Sequence, residues 1–272
     1  MAPHLTVVGS VNLDLVARTE RLPRPGETVT GATFAQIPGG KGANQAVAAA
    51  RLGAEVTMIA CVGNDDHRRQ ATVELERAGV DMTRFKVVDT PTGVALIAVD
   101  AAGENVIVVA PGANSELLPA DVDLPECDGV LCQLEIPLET VEHVAATAPG
   151  EFFLNAAPAR GPVPAADVTI VNRYELDALT HRDGVIAVTL GAEGAILLDH
   201  GEEVARAAPP QVDAVDGTAA GDAFTACLVV SLLEGLTRED ALRRACIAGA
   251  LAASRFGAQT SLPTAEEVDA LL

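Results

Sequence analysis

The 272-residue chain has no tryptophan, one tyrosine (Tyr174) and two lysines (Lys41 and Lys86). Each shortage excludes something. Without aromatic platforms there is no base stacking of the kind that holds single-stranded nucleic acid. A formal net charge of −20 leaves no basic face for a phosphate backbone, so nucleic acid is not an expected partner. Although 49% of the residues are hydrophobic, no apolar run reaches the ~20 residues of a membrane-spanning helix, and no membrane partner is expected. Met1 to Ser10 lacks the basic start and cleavage site of a secretory leader. The five cysteines (Cys61, Cys127, Cys132, Cys227, Cys246) form no CxxC pair, which predicts reduced, buried thiols and a cytoplasmic protein. None of the five histidines falls in a motif, which counts against histidine-based nucleophilic catalysis or a histidine metal site.

What is present reads as one large α/β unit over residues 1–272. Leu5 to Val8 is a short strand. Lys41 to Leu52 is alanine-rich and helical and stops at Gly53. Val56 to Val62 reads as a strand, and His67 to Ala78 as a helix closed by Gly79. From Val130 onward apolar strands (130–134, 152–154, 168–171, 185–190) alternate with helices (138–148, 175–180), which predicts a mostly parallel sheet covered on both faces. Val212 to Asp216 looks strand-like. Two C-terminal helices follow, 222–234 and 238–254. The β-rich pieces at about 12–36 and 91–107 do not fit that core. They are expected to pair as a small sheet at its edge, a lid.

Three constellations carry chemistry. Ala219-Ala220-Gly221-Asp222 opens an apolar helix, and small residues there leave main-chain N–H groups bare, an anion pocket. A carboxylate at its mouth suits a group that takes a proton while the pocket holds a phosphoryl group in transfer. The plain alternative is an acidic residue facing the helix dipole. Gly39-Gly40-Lys41-Gly42-Ala43-Asn44 opens another helix, with Lys41 and Asn44 projecting near its start. It lacks the spacing of a P-loop and could be no more than a loop packed on a strand. Asn12 and Asp14 follow the first strand, and Glu135 ends another, at the edge where open α/β sheets bind ligands. Amide and carboxylate together suit a polyol, although an ordinary turn also accommodates them.

In this order the motifs resemble the ribokinase family of sugar kinases, the PfkB group. The likeness runs through Gly9–Asp14, Pro25–Glu27, Gly39–Gln45, Thr92–Val94, Gly103–Asn105, Gly112–Asn114, Gln133–Glu135, Asn155–Arg160, Thr189–Gly191, Asp216–Asp222 and Gly257–Gln259. It implies a three-layer α/β/α fold with a mostly parallel central sheet and a β lid that also dimerises by edge pairing. It implies an ATP-dependent kinase of ribose, with another sugar, deoxyribose or a nucleoside as alternatives and a sugar-binding pseudokinase as a reading of another class. By the same resemblance Asp222 is the general base, and the backbone of Ala219, Ala220, Gly221 and Asp222 is the anion hole. Asn12, Asp14, Gly40, Lys41, Asn44 and Glu135 hold the sugar. Asn172, Glu175, Thr189, Gly191, Gly194, Gly221 and Cys246 line the nucleotide site, with Mg²⁺ near the phosphates. Asp216, Thr218, Ala252, Arg255, Gly257 and Ser261 match a potassium site.

Two departures stand out. The family's Asn-Glu-x-Glu reads Asn172-Arg173-Tyr174-Glu175. Arg173 is expected to touch phosphate and replace part of the metal's charge, or else to be solvated. Thirteen residues separate Glu175 from Thr189, close to the minimum for a parallel crossover, so a trimmed sheet edge or nucleotide side is expected there.

Overall fold

The structure is a computed structural model that describes residues 1–159, 161–180 and 184–272. Arg160, in one of the motifs above, and residues 181–183, in the short connection between Glu175 and Thr189, lie outside the described residues.

The chain opens with β1 (His4–Val8), β2 (Asn12–Arg18), β3 (Thr33–Gly39), α1 (Lys41–Arg51) and β4 (Glu55–Ile59). Next come β5 (Cys61–Gly63), α2 (Asp66–Ala71), α3 (Val73–Arg77), β6 (Lys86–Val88), β7 (Gly93–Val99) and β8 (Asn105–Ala110). The second half runs β9 (Gly129–Gln133), α4 (Leu138–Thr147), β10 (Glu151–Asn155), β11 (Val168–Asn172), α5 (Arg173–Ala178), β12 (Val185–Thr189), β13 (Ala195–Asp199) and β14 (Glu202–Ala207). It ends with α6 (Ala220–Leu233), α7 (Arg238–Ala253) and α8 (Ala265–Asp269). Among the described residues the main sheet has the order β14-β13-β12-β11-β10-β9-β1-β4, parallel from β4 to β12 and antiparallel at its last two strands.

Strand side chains alternate between two faces. Leu5, Val7, Leu131, Phe153 and Ile170 pack with the apolar residues of α1, α6 and α7. Val8, Val130, Cys132, Phe152 and Leu154 pack with Val141 and Val144 of α4. Both faces of the sheet are therefore dry, which is why these strands read as unbroken apolar runs. The small sheet, β3-β2-β7-β8, joins the two β-rich pieces as expected. It reaches further than foreseen, to Gly39 and Ala110.

Several expectations need correction. The strand expected over 56–62 is two strands, because at Ala60 the chain changes partner: Lys86 donates its N–H to the Ala60 carbonyl at 2.9 Å, and β5 pairs with β6. The helix expected over 67–78 breaks at Thr72, whose hydroxyl donates back to the Arg68 carbonyl at 2.9 Å and competes with the helical ladder. Residues 212–216 form no strand. Val215 and Asp216 instead donate their N–H groups to the Ala253 carbonyl at the end of α7, at 2.8 and 3.1 Å. The helix expected from Asp222 begins at Ala220, which places Asp222 inside its first turn. The antiparallel pair β13–β14 was not anticipated. Nor is the sheet trimmed after α5: β11 and β12 pair from Val168↔Val185 to Asn172↔Thr189.

Phe153 is fully buried at the centre of the main sheet. Phe153→Ala should lower unfolding free energy by about 3–5 kcal/mol through lost transfer energy and a residual cavity. Val204→Ser, on the half-exposed edge strand β14, should change it by no more than about 0.5 kcal/mol. Urea unfolding of the two variants checks the contrast.

Candidate functional site

The Gly39–Gly42 segment brings the start of α1 against the end of β1. Gly40 has φ 88°, a backbone geometry that side chains with a Cβ rarely adopt. A Cβ at Gly42 would lie 2.5 Å from the Ser10 nitrogen, so only glycine lets the two segments touch. Into this junction Glu135 projects from just beyond β9. Its carboxylate accepts from the Ser10 hydroxyl at 2.6 Å and from the Lys41 N–H at 3.0 Å, at the positive end of α1. Asn12 and Asp14 follow β1, as expected, and lie on β2, in the β-rich piece that begins at residue 12. The Asn12 side-chain oxygen accepts from Asn114 at 2.7 Å, and Asn114 in turn accepts from the Val11 N–H at 2.9 Å.

The three carboxylates Asp14, Glu135 and Asp222 are close enough to repel. Burial first, then the charges of Glu135 and Asp222, push Asp14 up to about 7. Lys41 sits among them. Burial works against its charge, but Asp222, Glu135 and Glu175 hold its pKa above the ordinary lysine value.

Asp222 is buried. Burial raises its pKa, opposed by Lys41 and by the side chains of Asn44 and Gln45. Asn44 and Gln45 each donate an amide N–H to one of its oxygens, both at 2.8 Å. Ala223 makes the first helical bond of α6, to the Ala219 carbonyl. The Ala220 N–H, one of the four expected in the anion hole, already donates to the Gly217 carbonyl at 3.2 Å. Among the described residues, the N–H groups of Ala219, Gly221 and Asp222 have no protein acceptor.

A cleft of about 890 Å³ runs away from this point, lined by Thr189, Gly191, Gly194, Gly221, Phe224 and Cys246. A smaller one of about 90 Å³ joins Lys41 and Asp222 to Asn172, Glu175, Thr189 and Gly221. The two share Thr189 and Gly221. All seven residues expected around a nucleotide therefore line one or other cleft. Cys246 is buried, its thiol pushed up to about 11 by burial and directed at the Ala207 carbonyl at 3.7 Å. Asn172 and Glu175 form a reciprocal cap on α5: the Asn172 oxygen accepts from the Glu175 N–H at 2.9 Å, and the Glu175 carboxylate accepts from the Asn172 N–H at 2.8 Å. Arg173 is half-exposed but not merely solvated, because it pairs with Glu193 at 2.6 Å.

The residues expected to hold potassium are only partly drawn together. Asp216 accepts from the N–H and hydroxyl of Thr218 and, at 3.1 Å, from the Gly257 N–H. Burial raises the Asp216 pKa, but these bonds and the nearby Arg18 outweigh it and hold the carboxyl low. Arg18, at the end of β2, stacks over the Phe256 ring 3.9 Å from its centroid. The Arg255 guanidinium turns away to Glu267, and the Ser261 hydroxyl donates to the Ala258 carbonyl at 2.8 Å. Among the described residues, no cluster of three His, Cys, Asp or Glu side chains could cage a metal ion. The polar residues that sequence reasoning left without a role are Gln45, Asn114, Gln133, Asn155 and Gln259. All five are buried, and each lies inside one of the motifs that carry the family resemblance.

Comparison with known proteins gives a consistent result. The model of the pfkB family carbohydrate kinases matches residues 2–265. The ribokinase of Bacillus subtilis is 38% identical over 292 residues, covering 99% of each chain. The deoxyribokinase of Salmonella typhi is 34% identical, covering 98% of each. The structure of Arabidopsis thaliana ribokinase complexed with ribose and ATP superposes with a TM-score of 0.85 at 30% identity, covering 100% of this chain and 99% of that one.

Asp14 has a testable consequence for stability. In the folded protein it keeps a proton up to about pH 7 that the unfolded chain has released near pH 3.8. Folding stability from this group is therefore present below pH 3.8 and is lost as pH rises toward 7. Asp14→Asn should match the wild type near pH 4 and exceed it at pH 8, as read from urea midpoints at the two pH values.

Proposed function

The chain belongs to the pfkB family of carbohydrate kinases, and from that premise we propose that it transfers the γ-phosphoryl group of ATP to the primary hydroxyl of D-ribose, giving ribose 5-phosphate. The observation that carries this reading is the position of Asp222, a buried carboxylate beside unbonded main-chain N–H groups where the two clefts share Gly221. Asp222 takes the proton of the sugar hydroxyl. That oxygen bonds to the γ-phosphorus, the bridge from the β-phosphate breaks, and ADP leaves. The N–H groups of Ala219, Gly221 and Asp222 receive the charge on the phosphoryl oxygens, and positioning supplies most of the remainder.

In this reading Asn12, Asp14, Gly40, Lys41, Asn44 and Glu135 form the sugar pocket under the small sheet, which acts as a lid within a single functional unit over the whole chain. Thr189, Gly191, Gly194 and Cys246 line the nucleotide cleft. The residues on the Asn172 side fit a Mg²⁺ ion that arrives on the nucleotide phosphates, because Mg²⁺ keeps most of its waters and needs few carboxylates. Glu175 is the carboxylate available there, and the ion, when bound, neutralises phosphate charge. The oxygen donors around Asp216, with the 252–261 backbone, fit a potassium ion.

The lid also supports a homodimer. β8 is an edge strand whose Val106, Ile107, Val108 and Val109 are each about half exposed, an apolar edge of the kind that pairs with another copy. Five unpaired thiols support a cytoplasmic location. No helix among the described residues is long and apolar enough to cross a membrane. The deoxyribokinase relative favours deoxyribose as the second candidate sugar.

Three outcomes are expected. With ATP, Mg²⁺ and K⁺, a sugar panel should give the highest kcat/KM with ribose; a higher value with deoxyribose selects the second reading. Asp222→Asn should lower kcat by a factor of about 10²–10⁴, and unchanged turnover rules out the base. In sedimentation the protein should run at twice its 27.9 kDa chain mass, and Ile107→Lys with Val109→Lys should return it to one chain.

A further inference from the structure

Asp222 stands at the centre of a buried network of carboxamides, and its chemistry dictates how each of them is turned. An ionised carboxylate only accepts hydrogen bonds. Asn44 and Gln45 must therefore both turn their NH₂ groups toward it, and they do, at 2.8 Å each. Their carbonyl oxygens then face away and need donors. Gln259 supplies one to Asn44 at 3.1 Å, and Gln133 supplies one to Gln45 at 2.7 Å. Gln45 also donates to the Asn155 oxygen at 2.9 Å, and Asn155 is pinned by its own donation to the Ile170 carbonyl at 3.1 Å. Having turned their NH₂ groups inward, Gln133 and Gln259 leave their own oxygens pointing outward. Those are two of the three buried side-chain polar atoms without a hydrogen-bond partner among the described residues.

Two buried oxygens without partners are costly. Here they have one common cause, an obligate acceptor at the middle of two amide chains. Reversing either chain would place an amide oxygen against the Asp222 carboxylate, where neither group can donate. The far ends are anchored as well. Arg51 donates to the Gln259 and Leu262 carbonyls at 2.8 and 2.9 Å, which holds the segment that carries Gln259.

We propose that Gln45 and Gln133 on one side, and Asn44 with Gln259 on the other, form a two-armed carboxamide relay that fixes both oxygens of Asp222 as hydrogen-bond acceptors and aims the free lone pairs at the incoming hydroxyl. Gln45, Gln133 and Gln259 are thus positioning residues. The inference rests on Asp222 acting as the base. Protonation of Asp222 puts a donor against one of the amide arms, so the arms favour the ionised carboxylate over its protonated form. The charged groups facing Asp222 are Lys41 from α1, Glu135 beyond β9 and Asp14 from β2, with Glu175 on the same small cleft.

The test measures kcat and sugar KM against pH for Gln45→Met, Gln133→Met and Gln259→Met, with urea midpoints to establish that each is folded. Methionine keeps the length and removes the donor. Gln45→Met should lower kcat about tenfold or more, the size of a lost hydrogen bond to a charged group, with KM within about threefold. The acid limb of its kcat profile should move to higher pH, because the ionised carboxylate has lost a donor. Gln133→Met and Gln259→Met, which do not touch Asp222, should move the limb the same way with a smaller loss. Gln45→Glu can donate only while protonated, so its activity should recover toward low pH, opposite to the wild type. An unmoved acid limb in every variant that folds overturns the relay, whether or not kcat has fallen. Asp222→Asn separates the two ideas: if it stays active the base assignment fails, and if it is dead while the glutamine variants behave like the wild type, the relay alone fails.

Discussion

A carboxylate taken out of water must be surrounded by donors, and the interior around Asp222 is arranged to that requirement. Its own helix begins with small residues, so N–H groups rather than side chains crowd the space beside it. The neighbouring helix presents two amides and a lysine. Further carboxylates stand nearby, and burial, then the charges of Glu135 and Asp222, raise the pKa of Asp14. The same crowding of negative charge gives Lys41 its importance: in a chain of net charge −20, it is the cation that lines the small cleft beside Asp222.

The fold makes this arrangement possible by bringing distant segments to one edge of a dry sheet. β1, β9 and β10 run parallel, so the residues that follow β1 and β9 emerge on the same side. The small sheet rises from that side as a continuation of the chain between β1 and α1, which carries Asn12 and Asp14 over the pocket. α6 starts at the same edge. Two antiparallel strands extend the far end of the sheet beyond β12 without another crossover helix. The short connection after α5 is therefore compatible with a complete sheet.

Much of this was legible in the linear pattern. Unbroken apolar strands separated by helices announced the parallel sheet, and glycine-lysine-glycine before an alanine-rich run announced α1. The misreadings have physical causes. Hydropathy cannot show that β4 and β5 belong to different sheets, because both are apolar and only the partner changes. An apolar-acidic run at 212–216 resembles a strand until the end of α7 captures its N–H groups. The start of α6 was placed two residues late because Asp222 looks like a helix-capping residue, whereas it lies in the first turn and faces inward. Arg173 was expected either at phosphate or in solvent, and the turn after β12 supplied a third partner, Glu193.

The order of motifs along the chain determined the family, the layered architecture and the identity of the groups at the site, because periodicity and side-chain chemistry are local properties. Only the tertiary structure decided which of those groups meet. Gln45 and Asp222 stand 177 residues apart, yet a hydrogen bond joins them, since a buried charge selects its donors by proximity in space. For the same reason the Ala220 N–H left the candidate anion pocket for the Gly217 carbonyl, an exchange set by backbone geometry that residue identity does not encode.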